Sequence, residues 1–238
     1  MDFLSIKTRR LRTNRHISFD SVGRFFAPQL FCIDYNHTMS RFKSPFFWFI
    51  LALFTTAALT ALGPQEQSLG ENIRIVYLHG AWALTAETAL GLSAAAGLLG
   101  ILFRREKLHR WSAALGCSGL SFWVMYLPLS LWAMQTNWNG LFLTEPRFRV
   151  AFIFAVTGVL LQIGLALLAR PVFTSLFNVL FFAALRIGLS QAEYIMHPLP
   201  SPIINSGVLS LQLFFIGITF LTMAAAYFMT RWWLQKQS

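Results

Sequence analysis

Six apolar stretches fill the chain between about residues 46 and 230, running approximately over 46–62, 75–103, 112–134, 148–169, 171–190 and 207–230. Each is close to the roughly 20 residues a helix needs to cross a bilayer. Backbone in hydrocarbon must satisfy its own hydrogen bonds, which leaves helices as the only form that separate runs of this length can take. The expected fold is all-α: a polytopic bundle of six transmembrane helices. Composition agrees, with 56% hydrophobic and 12% charged residues and a mean hydropathy of +0.57. A soluble domain of this size carries more charge on its surface.

The net charge of +10 suggests nucleic acid at first sight, but its distribution argues otherwise. Eight of the 19 Lys and Arg residues precede Pro45. Of the rest, Arg104, Arg105, Lys107, Arg110, Arg170, Arg231 and Lys236 fall at helix ends on the same side as Arg41 and Lys43. Arg74, Arg147, Arg149 and Arg186 fall on the other. The positive-inside rule then predicts both termini in the cytoplasm and loops 63–74, 135–147 and 191–206 outside. The expected partner is the lipid bilayer, and no nucleic acid. Neither a P-loop nor a Gly-rich dinucleotide fingerprint nor a zincin helix is visible, so no enzymatic chemistry is expected. Cys32 and Cys117 have no CxxC or metal-ligand spacing.

Residues 1–44 are Arg-rich and lack a long apolar run. They read as a basic extension outside the functional chain, which is expected to open at Met39. A solvated tail or an organelle presequence are the alternatives. Residues 45–233 form the expected six-helix domain, and 234–238 a short cytoplasmic tail.

Few polar residues remain to carry chemistry. Counting back from Phe103 at about 1.5 Å per residue, His79 lies some 36 Å along the second stretch, against a hydrocarbon core of about 30 Å. It is expected at headgroup level on the outer side, where the loop holding Met196-His197-Pro198 also falls. Two neutral imidazoles facing each other can fill both axial positions of a haem iron. Between them in sequence lies an outer segment with Trp132, Trp138, Phe142, Glu145 and Arg147. Aromatic faces suit a flat macrocycle, and an arginine can hold a carboxylate tail bidentately. The alternative is that Trp132 and Trp138 anchor the interface while Glu145 and Arg147 pair at the surface. Glu87, about 80° round the helix and two turns below His79, falls within the hydrocarbon. It is expected to face the bundle interior, hydrogen-bonded to Gln162 or Asn178. Arg186 is expected to snorkel to the outer surface. His16, His37 and His109 are read as bystanders, His109 in a basic cytoplasmic loop.

The run Ile73-Arg74-Ile75-Val76-Tyr77-Leu78-His79-Gly80-Ala81-Trp82, the pieces Trp138-Asn139-Gly140 and Glu145-Pro146-Arg147, and the last outer histidine together resemble the haem-handling proteins of cytochrome c maturation. The likeness is to the haem exporter protein C (cytochrome c assembly protein) family and covers about residues 46–230. It implies six transmembrane helices, haem bound in transit, and His79 and His197 as its iron ligands. Trp82, Trp138, Phe142, Glu145 and Arg147 would then contribute to the haem site. It also implies other membrane subunits of a cytochrome c maturation complex, an ABC-type ATPase and a haem carrier or apocytochrome c as partners. The setting would be the cell inner (plasma) membrane, with the site facing the periplasm. The chain departs from the family in carrying Glu145 where Asp is usual. Leu141, Phe142, Leu143 and Thr144 stand where tryptophans are expected. Two other readings remain open: a permease-type transport subunit centred on Glu87, and a structural scaffold that has lost haem binding.

Overall fold

The computed structural model describes residues 44–193 and 202–237. His197, the expected second ligand, and the basic extension up to residue 43 lie outside them. Every regular element among the described residues is helical: α1 Pro45–Ala61, α2 Ile73–Phe103, α3 Glu106–Trp138, α4 Pro146–Leu168, α5 Pro171–Gln191, the single turn α6 Pro202–Asn205 and α7 Leu209–Lys236. Five of them, α2, α3, α4, α5 and α7, are long and apolar enough to cross a membrane, and α1 is a shorter apolar helix of 17 residues.

Helices begin and end where local chemistry permits. Proline opens α1, α4 and α5 at a position whose N–H would have no helical acceptor. Arg104 and Ala169 take left-handed backbone and turn the chain back within two residues. Hydropathy alone misplaces some ends. The third helix, expected over 112–134, runs from Glu106 to Trp138. Its polar last turn is held locally, with Thr136 Oγ1 and Asn137 Nδ2 donating to the carbonyls of Trp132 and Ala133. In the same way α7 continues to Lys236, so most of the expected 234–238 tail is helix.

The bundle is organised around α2 and α3, which pack on each other along their length. On one flank α7 lies against both, with α1 behind it; on the other, α5 lies against both and α4 covers α3 and α5. Small and hydroxyl-bearing residues make these approaches possible. Ser93 Oγ donates to the Ser112 carbonyl at 2.7 Å across α2–α3. The Thr85 and Thr222 hydroxyls meet at 2.7 Å across α2–α7, and Ser118 Oγ reaches the Ala226 carbonyl at 3.0 Å across α3–α7. Trp123 Nε1 donates to the Ala151 carbonyl at 3.0 Å, tying α4 to α3. Lipid tails are as apolar as leucine, so close packing and buried hydrogen bonds hold such helices together. Large apolar side chains point outward instead, among them Phe152, Leu160 and Leu167 of α4.

The half of the bundle nearer the α2–α3 turn holds a polar knot. Asn178 Nδ2 donates to the Ser112 carbonyl and hydroxyl at 3.1 Å, and Gln162 Nε2 donates to Asn178 Oδ1 at 2.9 Å. His109, expected in an exposed basic loop, is 4% exposed in the first turns of α3, its Nδ1 2.7 Å from Ser175 Oγ. Gly100, on the facing turn of α2, leaves the room that its ring fills.

At Gly97 an added Cβ would lie 2.9 Å from the Ser175 carbonyl oxygen, so α2 and α5 touch through backbone. Gly97→Val should therefore cost about 1–3 kcal/mol, read as a lower thermal midpoint in detergent. Gly164→Ala, where nothing lies within 4 Å, should leave the midpoint unchanged or higher. Equal effects of the two would contradict the packing described.

Candidate functional site

Val76, His79 and Gly80, Ala83 and Leu84, and Glu87 recur at helical spacing on one face of α2, and that face walls a cavity of about 490 Å³. From Val76 to Glu87 the wall rises about 16 Å along the helix axis. Opposite stand Trp123, Tyr126, Ser130, Ala133, Met134 and Trp138 of α3, with Arg147 and Phe148 of α4 at one margin. Leu69, Glu145, Leu189, Ile203, Ile204 and Phe215 complete the lining.

His79 is held by two neighbours on α3. Its Nδ1 is 3.2 Å from Ser130 Oγ, and its ring lies 4.8 Å, centroid to centroid, from Tyr126. Tyr126 in turn stacks on Trp123 at 5.4 Å. In the tautomer with its proton on Nδ1, shared with Ser130, the lone pair sits on Nε2. A hydrogen bond to one ring nitrogen is the usual way a protein orients an imidazole that ligates through the other.

Glu145 takes a structural part. It is the N-cap of α4 and 8% exposed, its Oε2 accepting from the Phe148 N–H at 2.5 Å. Its carboxylate favours the positive end of the α4 dipole, whereas Arg147 and Arg149 in the same turn oppose it. Arg147 lies in the cavity wall, and a guanidinium can bind a carboxylate bidentately.

The other expected site residues divide. Trp138, the last residue of α3, lines the cavity, and left-handed Asn139 turns the chain away after it. Phe142 is 40% exposed and Trp82 packs on Phe122 at 5.1 Å; neither belongs to the cavity lining. The Trp82 indole N–H is buried with no hydrogen-bond partner among the described residues. Glu87 does not pair with Gln162 or Asn178, which bind each other; it forms an ion pair with Arg186 of α5. Arg186 therefore does not snorkel alone. At that depth, pairing costs less than leaving either charge unaccompanied. Trp123, Tyr126 and Ser130, at i, i+3 and i+7, are site residues that sequence reasoning missed; their helical spacing was the signal.

Among the described residues no group of three His, Cys, Asp or Glu side chains is placed to hold a bare metal ion. The chemistry on offer is one oriented imidazole, one arginine, one intramembrane ion pair and several aromatic faces. Comparison with family models, curated proteins and solved structures gives no match for this chain.

Two outcomes follow. Replacing Glu145 with Ala removes the α4 cap and should cost about 1 kcal/mol in thermal unfolding, with Glu145→Asp retaining part of it. In the α1–α2 loop, the Ser68 hydroxyl, which donates to Glu66, and the Leu69 and Ser68 N–H groups hold the Glu66 carboxyl below its usual range. A lowered folded pKa means this loop is held above the ordinary carboxylate range and loosens as pH falls through the lowered value. Protection of the Ser68 and Leu69 amides against hydrogen exchange, corrected for intrinsic rates, should drop over that acidic window and stay flat in Glu66→Gln.

Proposed function

We propose that this chain is a membrane haem-binding factor of cytochrome c biogenesis. It would hold haem at the outer face and pass it to a carrier or apocytochrome. The observation that carries this reading is His79 and Arg147 in the walls of one aromatic cavity, with Ser130 orienting the imidazole. The cavity volume lies within the roughly 300–1,000 Å³ usual for small-molecule and cofactor sites. Haem supplies an iron with two axial positions and two carboxylate tails. His79 would take one axial position through Nε2, and Arg147 would bind a propionate. Trp138, Phe148 and Phe215 would cover the ring. His197, which lies outside the described residues, would be the second iron ligand. Glu145 would line the site and fix the turn that carries Arg147; Phe142 and Trp82 lie outside the cavity lining. In this reading α1 is a sixth, short span, both termini are cytoplasmic, and the site faces the periplasm from the inner membrane. Other maturation subunits and an ABC-type ATPase work beside it. The exchange logic is that an imidazole can be traded for the acceptor's own ligand without any bond-making catalysis by this chain.

A second reading has its own observation. Glu87 lines the same cavity and is paired with Arg186, as a polar step in a transport path would be. A permease-type subunit would depend on that pair and not on the histidine.

Protein expressed from Met39 with haem supplied should show a low-spin Soret spectrum. His79→Ala should abolish that spectrum, and Arg147→Ala should weaken haem affinity by about tenfold or more, as loss of a charged hydrogen bond does. A colourless protein whose activity tracks Glu87→Gln would transfer the assignment to transport. If none of these substitutions changed spectrum or phenotype, only a scaffold would remain.

A further inference from the structure

A second concavity, of about 700 Å³, lies in the groove between α2, α3 and α7, extending toward the basic end of the bundle. Small side chains make it: Ala89, Ala95 and Ala96 of α2 and Ala226 of α7 form its floor against Trp111 of α3. From Thr85 to Leu99 it follows α2 for about 21 Å, against about 15 Å for half of a hydrocarbon core. Its mouth is charged. Arg105 and Lys107 line it where α2 gives way to α3. Arg231, outside the lining, donates from Nη1 at 2.9 Å to the hydroxyl of Tyr227, whose residue lines the groove. Among the described residues no carboxylate lines it, and Glu106, between the two cations, is not part of its wall.

We propose that this groove binds an anionic phospholipid, with an acyl chain along Ala89–Leu99 and the phosphate against Arg105 and Lys107. An apolar trough long enough for one chain, ending in cations at interface depth, matches that ligand in shape and charge. A helix of a partner protein laid in the same trough would cover those cations without supplying phosphate oxygens. Basic residues at this level draw anionic headgroups in preference to zwitterionic ones. The site is separate from the His79 cavity and stands whether or not that cavity takes haem.

The test uses the full chain reconstituted in phosphatidylcholine vesicles containing phosphatidylglycerol. Acyl-brominated phosphatidylglycerol or acyl-brominated phosphatidylcholine is introduced at equal mole fraction. Quenching of Trp111 is taken as the difference between the native chain and Trp111→Phe. The brominated anionic lipid should quench as though enriched roughly thirtyfold at the site, the effect of two interfacial cations. Arg105→Gln with Lys107→Gln should remove that preference, with helical circular dichroism unchanged. Ala96→Phe, which fills the trough and leaves both cations, should lower quenching by either lipid. Equal quenching by the two lipids in the native chain would overturn the proposal. So would a preference that survives either the double substitution or the filled trough.

Discussion

The close approach of α2 and α3 is the constraint on which the rest depends. Ser93 reaches across to a backbone carbonyl of α3, and an added Cβ on Gly119 would lie 2.9 Å from the Leu90 backbone nitrogen. Helices this near exclude lipid and hold their remaining faces in fixed relation. The first turns of α2 are thereby set opposite Tyr126 and Ser130, and its other flanks receive α5 and α7. In hydrocarbon no general aversion to solvent drives helices together, so these contacts and buried hydroxyl bonds supply the association.

Polar groups in the bundle are used sparingly and almost always in company. The Ser112–Asn178–Gln162 chain and the His109–Ser175 pair join three helices in the half nearer the α2–α3 turn. Glu87 and Arg186 join α2 to α5 across the bundle. An unpaired polar group in a low-dielectric interior loses the full cost of its desolvation. Arg147 sits in the first turn of α4, which the buried Glu145 caps, and both residues line the aromatic cavity. An arginine, an imidazole and several aromatic faces around one cavity are the feature of this bundle that most invites a flat ligand with carboxylate groups.

Much of the helical plan was legible from the chain because hydropathy and proline act locally. The apolar runs gave the bodies of α2, α4 and α5 to within a few residues, and Pro146 and Pro171 stand at the starts the structure shows. The ends of α3 were not legible, since Thr136 and Asn137 look like loop residues until their bonds to the preceding turn are seen. The candidate site was legible in part. His79, Trp138 and Arg147 line one cavity, while Trp82 and Phe142, equally aromatic on paper, turn elsewhere. Nothing in the sequence around Trp82 distinguishes an indole packed on Phe122 from one facing a ligand.

By itself, then, the order of residues determined an all-helical chain built for the bilayer. It also placed His79 near one end of a long apolar helix, because rise per residue is a fixed quantity. Which side chains meet across the bundle was decided only in three dimensions. Glu87 finds Arg186, 99 residues away, and His109 finds Ser175, 66 residues away. The rotation of each helix about its own axis is set by how its small residues seat against its neighbours, and that information is spread over several helices at once.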